Sequence, residues 1–194
     1  MINIKKNLLK LSGKKFLING GEGMLGIAFD EMLKKYVPNC QIIKCTKKEL
    51  DVTNLEQVLS YDNKKLDFII HCAGQVRGNS YQGFETTNVV GTENLIQAIE
   101  NQNQSPRFLM ISSLAAREPH LSWYAKSKYQ SEQALVKSHG NFKWSILRPT
   151  AVYGPGDKEL MPLFKATTKG LLPMINTPES KFGLIYVDDL ILAI

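Results

Sequence analysis

A glycine-rich turn joins a short apolar strand to an amphipathic helix near the start of the chain. The strand is KKFLIN (14–19), the turn is NGGEGMLG, and the helix is MLGIAFDEMLKKY (24–36), whose apolar residues recur at helical spacing. A second apolar run, CQIIKC (40–45), completes a βαβ unit. Because parallel strands need a crossover of this kind, such an opening commits the chain to a parallel sheet.

The alternation of strands and helices continues along most of the chain. Thr53 and Glu56 stand three residues apart, the capping-box spacing that predicts a helix opening at about residue 54. Residues 81–102 keep apolar side chains on a helical period that only Gly91 interrupts. The other predicted elements are strands at 66–73, 107–112 and 143–148 and a helix at about 122–138. The pattern predicts a doubly wound parallel α/β sheet with helices on both faces.

Composition restricts the classes of partner that this chain can have. With 194 residues, 43% of them apolar, it can form one well-packed domain of ordinary size. Its formal charge of +6 comes from lysines spread along the chain, which does not favour a nucleic-acid groove. No apolar run reaches the length of a membrane span or a secretory signal, so we expect a cytoplasmic protein.

The cysteines predict buried free thiols. Cys40, Cys45 and Cys72 are an odd number, and no His or Cys pair stands near them at metal-ligand spacing. We therefore expect no metal site.

Three glycines in the first turn predict a dinucleotide site. Gly20 permits a tight turn, Gly23 lets backbone amides approach a pyrophosphate, and Gly26 allows close packing of the helix on the strand. Such glycines are a weak signal alone, but here a strand precedes them and a helix follows, as the motif requires.

Further motifs, in order along the chain, carry a family resemblance. They are HCAG (71–74), NVVGTENL (88–95), ISS (111–113), YAKSK (124–128), RPTAVYGPGD (148–157) and YVDDL (186–190). Together with the spacing of the glycines, they resemble the extended, epimerase-like branch of the short-chain dehydrogenase/reductase superfamily. That resemblance implies a Rossmann fold that binds NAD(P) and a small-molecule substrate. It also implies a homodimer through the helices that follow the third and fourth strands.

The resemblance assigns residues to the cofactor site. Around the dinucleotide it implies Gly20, Gly23, Met24, Leu25, Gly26, Thr46, Lys47, Asp51, Val52, Cys72, Ala73, Gly74, Asn88, Ile111, Tyr124, Lys128, Pro149 and Val152. At the end of the second strand, where an acid would bond the ribose of NAD, Cys45 stands instead, followed by Thr46, Lys47 and Lys48. A 2′-phosphate would meet cations there, so we expect NADP to be preferred over NAD.

Tyr124 and Lys128 are the candidate proton-transfer pair. Four residues along a helix return Lys128 to the face of Tyr124, whereas Lys126 points away. An ammonium beside the phenol favours the phenolate and would lower the pKa of Tyr124 toward neutrality. By resemblance, Tyr124 exchanges a proton with the substrate oxygen, Lys128 also holds the nicotinamide ribose, and Ser113 hydrogen-bonds the reacting carbonyl.

Two neighbouring assignments stay open. Ser112 is a second choice for the role of Ser113, since successive strand residues face opposite ways. Asn88 resembles an asparagine that supports the lysine, and a simple helix kink explains it equally well.

The resemblance divides the chain into an NAD(P)-binding Rossmann domain (1–154), part of a substrate lobe (155–183) and a return to the Rossmann domain (184–194). Since most of the lobe is missing, we expect a truncated chain that binds cofactor but turns over weakly or not at all.

Departures from the family pattern narrow the reaction. Leu114 and Ala115 follow Ser113, where sugar dehydratases have an Asp-Glu pair, so dehydration is disfavoured. Ala151 and Phe182 stand where nucleotide-sugar enzymes carry phosphate-binding Asn and Arg, although KKELDVTN is similar to reductases of the rhamnose type. We therefore expect hydride transfer between NAD(P) and a carbonyl or alcohol. The alternatives are a nucleotide-sugar epimerase or reductase and a non-catalytic dinucleotide sensor or scaffold.

Overall fold

The computed structural model describes residues 8–61, 66–102, 105–171, 181 and 183–194. A five-stranded parallel sheet has the order β2-β1-β3-β4-β5. Its strands are β1 (Lys15–Asn19), β2 (Gln41–Cys45), β3 (Phe68–His71), β4 (Arg107–Ile111) and β5 (Trp144–Leu147). The predicted doubly wound parallel α/β fold is confirmed.

Helices connect these strands. They are α1 (Met24–Tyr36), α2 (Leu55–Ser60), α3 (Tyr81–Phe84), α4 (Gly91–Asn101), α5 (Trp123–Val136), α6 (Met161–Thr167) and α7 (Val187–Leu192). A two-stranded parallel sheet pairs β6 (Ala151–Tyr153) with β7 (Leu184–Tyr186).

Successive strand residues feed two apolar layers, one on each face of the large sheet. Leu17 of β1 packs in a layer with Leu95 of α4 and Leu135 of α5. Its neighbours Phe16 and Ile18 pack in the other layer with Phe29 of α1. This alternation, which the pleat imposes, explains why the central strand β1 is apolar on both faces from Phe16 to Ile18.

The predicted helix over 81–102 is divided into three parts. A π-helical segment, Glu85–Val90, separates α3 from α4. Asn88 lies in this wider turn and is buried. Single π turns inside α-helices are frequent at functional sites.

The capping-box prediction for Thr53 and Glu56 is wrong in its residues. The N-cap of α2 is Asn54, whose side chain accepts a hydrogen bond from the Gln57 amide at 3.0 Å. The Thr53 hydroxyl instead donates to Asp51 at 2.7 Å. The predicted start at about residue 54 is nevertheless close to the observed first residue, Leu55.

The end of the chain packs on the main sheet. Val187 and Ile191 of α7 join the apolar layer of Phe29 and Leu33 from α1. Residues 172–180 and Phe182, which belong to the expected lobe, lie outside the described residues. The division of the chain at residues 154 and 183 stays a prediction.

The described part of the chain has neither a membrane-spanning helix nor a metal-binding cluster. None of its helices is long and apolar enough to cross a bilayer. The same residues hold no cluster of His, Cys, Asp and Glu that could bind a metal ion. The three cysteines are free thiols as predicted, but Cys45 is buried whereas Cys40 and Cys72 are partly exposed, so the prediction of burial is correct for Cys45 alone.

Candidate active site at the switch point of the sheet

The strand order reverses between β1 and β3, and a cleft lies where these strands end. From β1 the chain crosses to β2 on one side, and later strands add on the other side. In open α/β sheets, ligands bind at the carboxyl ends of the strands beside such a reversal. The cleft, ≈ 260 Å³ in volume, is lined by the predicted residues Gly20, Gly23, Lys47, Asp51, Val52, Cys72, Ala73 and Gly74.

The glycine turn makes this cleft by close backbone contact. Gly20 has φ of 70°, and a Cβ there would lie 2.5 Å from the Ala73 nitrogen at the end of β3. A Cβ on Gly26 would lie 2.5 Å from the Gly20 carbonyl oxygen, which brings α1 directly onto the turn. Gly23 is the N-cap of α1 and has no side-chain hydrogen bond that would occupy the first helical amides. These amides suit the oxygens of a pyrophosphate.

The residues after β2 do not all face the cleft. Cys45 is 2% exposed, and its sulfur lies 3.0 Å from the Tyr61 hydroxyl, so it cannot meet a ribose. Lys47 lines the cleft and lies 3.7 Å from the Asp51 carboxylate. The Thr46 amide donates to the Glu49 carboxylate at 2.8 Å. A carboxylate therefore stands near the end of β2 although the expected acid position does not hold one.

Other predicted cofactor residues do not line the cleft. Met24 and Leu25, in the first turn of α1, pack against the apolar layer of Phe29, as does Val152 of β6. The Pro149 carbonyl accepts a hydrogen bond from the Leu114 amide at 2.8 Å, next to Ser113. None of these contacts tests a role in cofactor binding.

His71 stands at the end of β3 and joins the two strands of the switch point. Its Nδ1 lies 3.0 Å from Asn19 Oδ1, and its Nε2 lies 2.9 Å from the Thr92 hydroxyl. Burial lowers the pKa of His71 to about 3. The ring is therefore neutral and aligns the strands.

Lys128 lies on α5, and its side chain reaches the carboxyl end of β4. It is 6% exposed, and its Nζ donates to the Ile111 carbonyl at 2.7 Å. A Cβ added to Gly74 would lie 3.8 Å from this Nζ, which places the amine beside the cleft. Burial lowers the pKa of Lys128 to about 8, although the charges of Cys72 and Glu132 act in the opposite direction.

Tyr124 stands one turn before Lys128 on α5. Burial raises the pKa of its phenol, a hydrogen bond with Ser113 lowers it, and the charge of Glu159 raises it further. The net shift is upward, which contradicts the expectation that Lys128 tunes Tyr124 toward neutrality. The lysine amine is turned toward Ile111, and Ser113 is the group that stabilises the phenolate.

Ser113 and Ser112 have separate environments. Ser113 caps the 3-10 turn Leu114–Arg117, and its hydroxyl accepts a hydrogen bond from the Ala115 amide at 3.2 Å. Ser112 is buried and donates to Glu132, so it is not available to a substrate. Lys126, which was predicted to point away, lies with its Nζ 4.4 Å from the centre of the Tyr81 ring.

Asn88 does more than accommodate a helix kink. Its amide nitrogen donates to the Gln75 carbonyl at 3.0 Å and to the Ser127 hydroxyl at 2.8 Å. Its oxygen accepts from the Gln75 amide at 2.7 Å. The side chain thus fixes the loop after β3 to the helix that carries Tyr124 and Lys128.

The sequence profile of one family matches residues 16–194. The chain belongs to the NAD dependent epimerase/dehydratase family. Curated relatives in this family include a ceramide reductase from Caulobacter vibrioides, 35% identical over 65% of this chain and 38% of the relative. A sterol-4-alpha-carboxylate 3-dehydrogenase from Candida albicans is 27% identical over 79% of this chain and 55% of the relative. A 2-alkyl-3-oxoalkanoate reductase from Stenotrophomonas maltophilia is 25% identical over 92% of this chain and 63% of the relative.

The chain spans between about two fifths and two thirds of the length of these relatives. Among solved structures, an ADP-L-glycero-D-manno-heptose-6-epimerase from Helicobacter pylori superposes with a TM-score of 0.78 at 16% identity. That match covers 95% of this chain and 73% of the epimerase, and at this identity it shows the fold alone.

Two acidic residues near the site, Glu132 and Glu159, were not predicted from the sequence. Glu132 is 2% exposed and binds Arg148 Nε at 2.9 Å as well as Ser112. Its position four residues after Lys128 is the signal that could have indicated it. Glu159 pairs with Arg77 at 2.7 Å, and no sequence spacing could indicate a pair so far apart in the chain.

Proposed function

We propose that this chain carries the cofactor site and proton-transfer residues of an NAD(P)-dependent oxidoreductase that acts on a carbonyl or alcohol. Two observations support the proposal: the Tyr124 phenol is hydrogen-bonded to Ser113, and the Lys128 amine lies beside Gly74, which lines the switch-point cleft. Family membership agrees with it, and three curated relatives are named as a reductase or dehydrogenase.

The residues present fit a dinucleotide. The narrow approach of Gly20 to Ala73 leaves room for backbone but not for a side chain, and α1 offers first-turn amides at the same place. Lys47 lines the cleft and offers a cation. A bound nicotinamide would supply or accept the hydride.

Side chains of this chain would bind the substrate oxygen and exchange its proton. The Ser113 hydroxyl would donate a hydrogen bond to it, and Tyr124 would give up or take the proton. With a pKa of about 8, Lys128 is mostly protonated at pH 7 and keeps a positive charge next to the site. Donors already in place cost no reorganisation when charge develops on that oxygen.

The preference for NADP over NAD rests on the cations after β2. Lys47 in the cleft supports it, whereas the Glu49 carboxylate on the Thr46 amide opposes it. We retain NADP, because Lys47 lines the cleft while the Glu49 carboxylate is already engaged with a backbone donor.

Oxidation of NADPH, followed by the absorbance of the reduced nicotinamide with a panel of ketones and 3-oxo acids, tests the proposal. Tyr124→Phe keeps the ring and removes the proton donor, so turnover should fall by about 10²–10⁴-fold while NADPH affinity stays unchanged. Equal turnover by the variant would contradict the role of Tyr124. Failure to bind NADPH would contradict the proposal, whereas NADPH binding with weak turnover is the result expected of a chain that spans only part of its relatives' length.

A further inference from the structure

An ion pair bridges the loop after β3 and the loop after β6. Arg77 lies in the loop after β3, Glu159 lies after β6, and Arg77 Nε donates to Glu159 Oε2 at 2.7 Å. Both side chains remain substantially exposed, at 67% and 48%. An exposed pair of this kind contributes little to stability, which leaves its placement to be explained otherwise.

The pair stands at the proton-transfer site. The charge of Glu159 reaches the Tyr124 phenol and raises its pKa. The ring of Phe84, which lies against Tyr124, also lies close to Gly78 in the Arg77 loop. Arg77 therefore belongs to a loop that contacts Phe84 beside Tyr124, and its ion-pair partner Glu159 acts on the phenol.

Both loops are held in place. Gln75, two residues before Arg77, is bonded through its backbone to the buried Asn88 side chain. The Glu159 amide donates to the Asp157 carboxylate at 2.8 Å. The pair thus has a defined position at the site.

The guanidinium is only partly used by this contact. Glu159 occupies Nε, and among the described residues no hydrogen bond to the two terminal nitrogens of Arg77 is found. An arginine offers five donors in a planar fork, and the two terminal nitrogens can bind a second carboxylate side by side. Glu159 orients the fork and leaves that edge open.

We propose that Arg77 binds the carboxylate of the substrate, and that the substrates are 3-oxo or 3-hydroxy acids. The inference rests on the proposed oxidoreductase function and specifies its substrate class. In such acids the carboxylate carbon is two bonds from the reacting carbon, so one site can hold both groups. A sterol-4-alpha-carboxylate 3-dehydrogenase and a 2-alkyl-3-oxoalkanoate reductase, both named for this arrangement, are relatives of the chain.

Charge explains why the site needs the arginine. The Glu159 carboxylate alone would repel an anionic substrate from Tyr124, and Arg77 offsets that repulsion. Removing the Glu159 charge should consequently strengthen the binding of an acid and leave an ester unaffected.

Binding of 3-hydroxyhexanoate and of its methyl ester, measured by calorimetry with saturating NADPH, tests the inference. Alcohol and NADPH are both reduced, so no hydride moves and dissociation constants are obtained without turnover. The protein should bind the acid about tenfold more tightly than the ester. Arg77→Gln should abolish this preference, and Glu159→Gln should increase it. Arg107→Gln, which removes an exposed arginine at the start of β4, should leave it unchanged.

The outcomes separate the two proposals. If NADPH itself does not bind, the proposed function fails. If NADPH binds but the acid has no advantage over the ester, or if neither compound binds, the assignment of Arg77 is wrong while the cofactor site stands. Retention of the preference in Arg77→Gln, with normal NADPH affinity, would also overturn it.

Discussion

Adding one methyl group at Gly20 should test the close approach that forms the cleft. Gly20 has φ of 70°, and a Cβ there would lie 2.5 Å from Ala73 N and 2.8 Å from the Cys72 carbonyl carbon. These are backbone atoms at the end of β3, so the two strand ends must move apart. Gly13 is a matched control, because its φ is 72° and a Cβ there would meet nothing within 4 Å.

The two substitutions share one cost and differ in another. Left-handed backbone strain costs a non-glycine residue about 1–2 kcal/mol, and both Gly13→Ala and Gly20→Ala incur it. Gly20→Ala also incurs overpacking, typically about 1–3 kcal/mol. The free energy of unfolding should therefore fall by about 1–2 kcal/mol in Gly13→Ala and by about 2–5 kcal/mol in Gly20→Ala.

Urea unfolding followed by circular dichroism measures this difference as a shift of the midpoint at constant m-value. Gly20→Ala should also weaken dinucleotide binding, whereas Gly13→Ala should not. Equal destabilisation by the two substitutions would refute the reasoning, because it would mean that the strand ends have room for a side chain.

Three further predictions concern buried polar groups. Lys128 loses its proton near pH 8 in the folded protein but near pH 10.5 in the unfolded chain, which then binds more protons in this window. The contribution of Lys128 to the free energy of unfolding should therefore rise between these pH values, whereas the raised pKa of Cys72 acts in the opposite direction above about pH 9. Lys128→Met should consequently lower the slope of stability against pH in a series of urea unfolding curves. Asn88→Ala removes a hydrogen-bond partner of Gln75 and Ser127, so the free energy of unfolding should fall by about 2–4 kcal/mol in the same measurement. Asn101→Ala, at the exposed end of α4, should lower it by less than about 0.5 kcal/mol. The Cys72 thiol, whose pKa burial raises to about 12, should react slowly with iodoacetamide at pH 8 until urea unfolds the protein; fast alkylation of the native protein would contradict this.

Local patterns predicted the sheet, but they did not predict which of several equivalent patterns the chain would use. A Thr-x-x-Glu spacing occurs at Thr46 and Glu49 as well as at Thr53 and Glu56. One of the two hydrogen bonds of a capping box forms at the first of these pairs, where the Glu49 carboxylate accepts from the Thr46 amide. At the second, Asn54 competes successfully for the cap. Local spacing alone cannot rank two such competitors.

Helical geometry placed Tyr124 and Lys128 on one face but could not give the state of their protons. Burial dominates both pKa values, and it depends on how the loops after β3 and β6 cover the helix. The Arg77–Glu159 pair likewise forms between loops that are far apart in the sequence. Such contacts follow from tertiary structure, and no periodic pattern encodes them.

Parallel titration with NADPH and NADH, followed by the midpoint of thermal unfolding, tests directly whether a dinucleotide binds at the switch point. A ligand at about 100 times its dissociation constant stabilises the native state by about 2.7 kcal/mol, or roughly 5–10 °C for a chain of this size. We expect a rise of this order with NADPH, a smaller one with NADH at the same concentration, and neither in Gly20→Ala. Absence of any rise with both dinucleotides, at concentrations up to the millimolar range, would contradict this expectation.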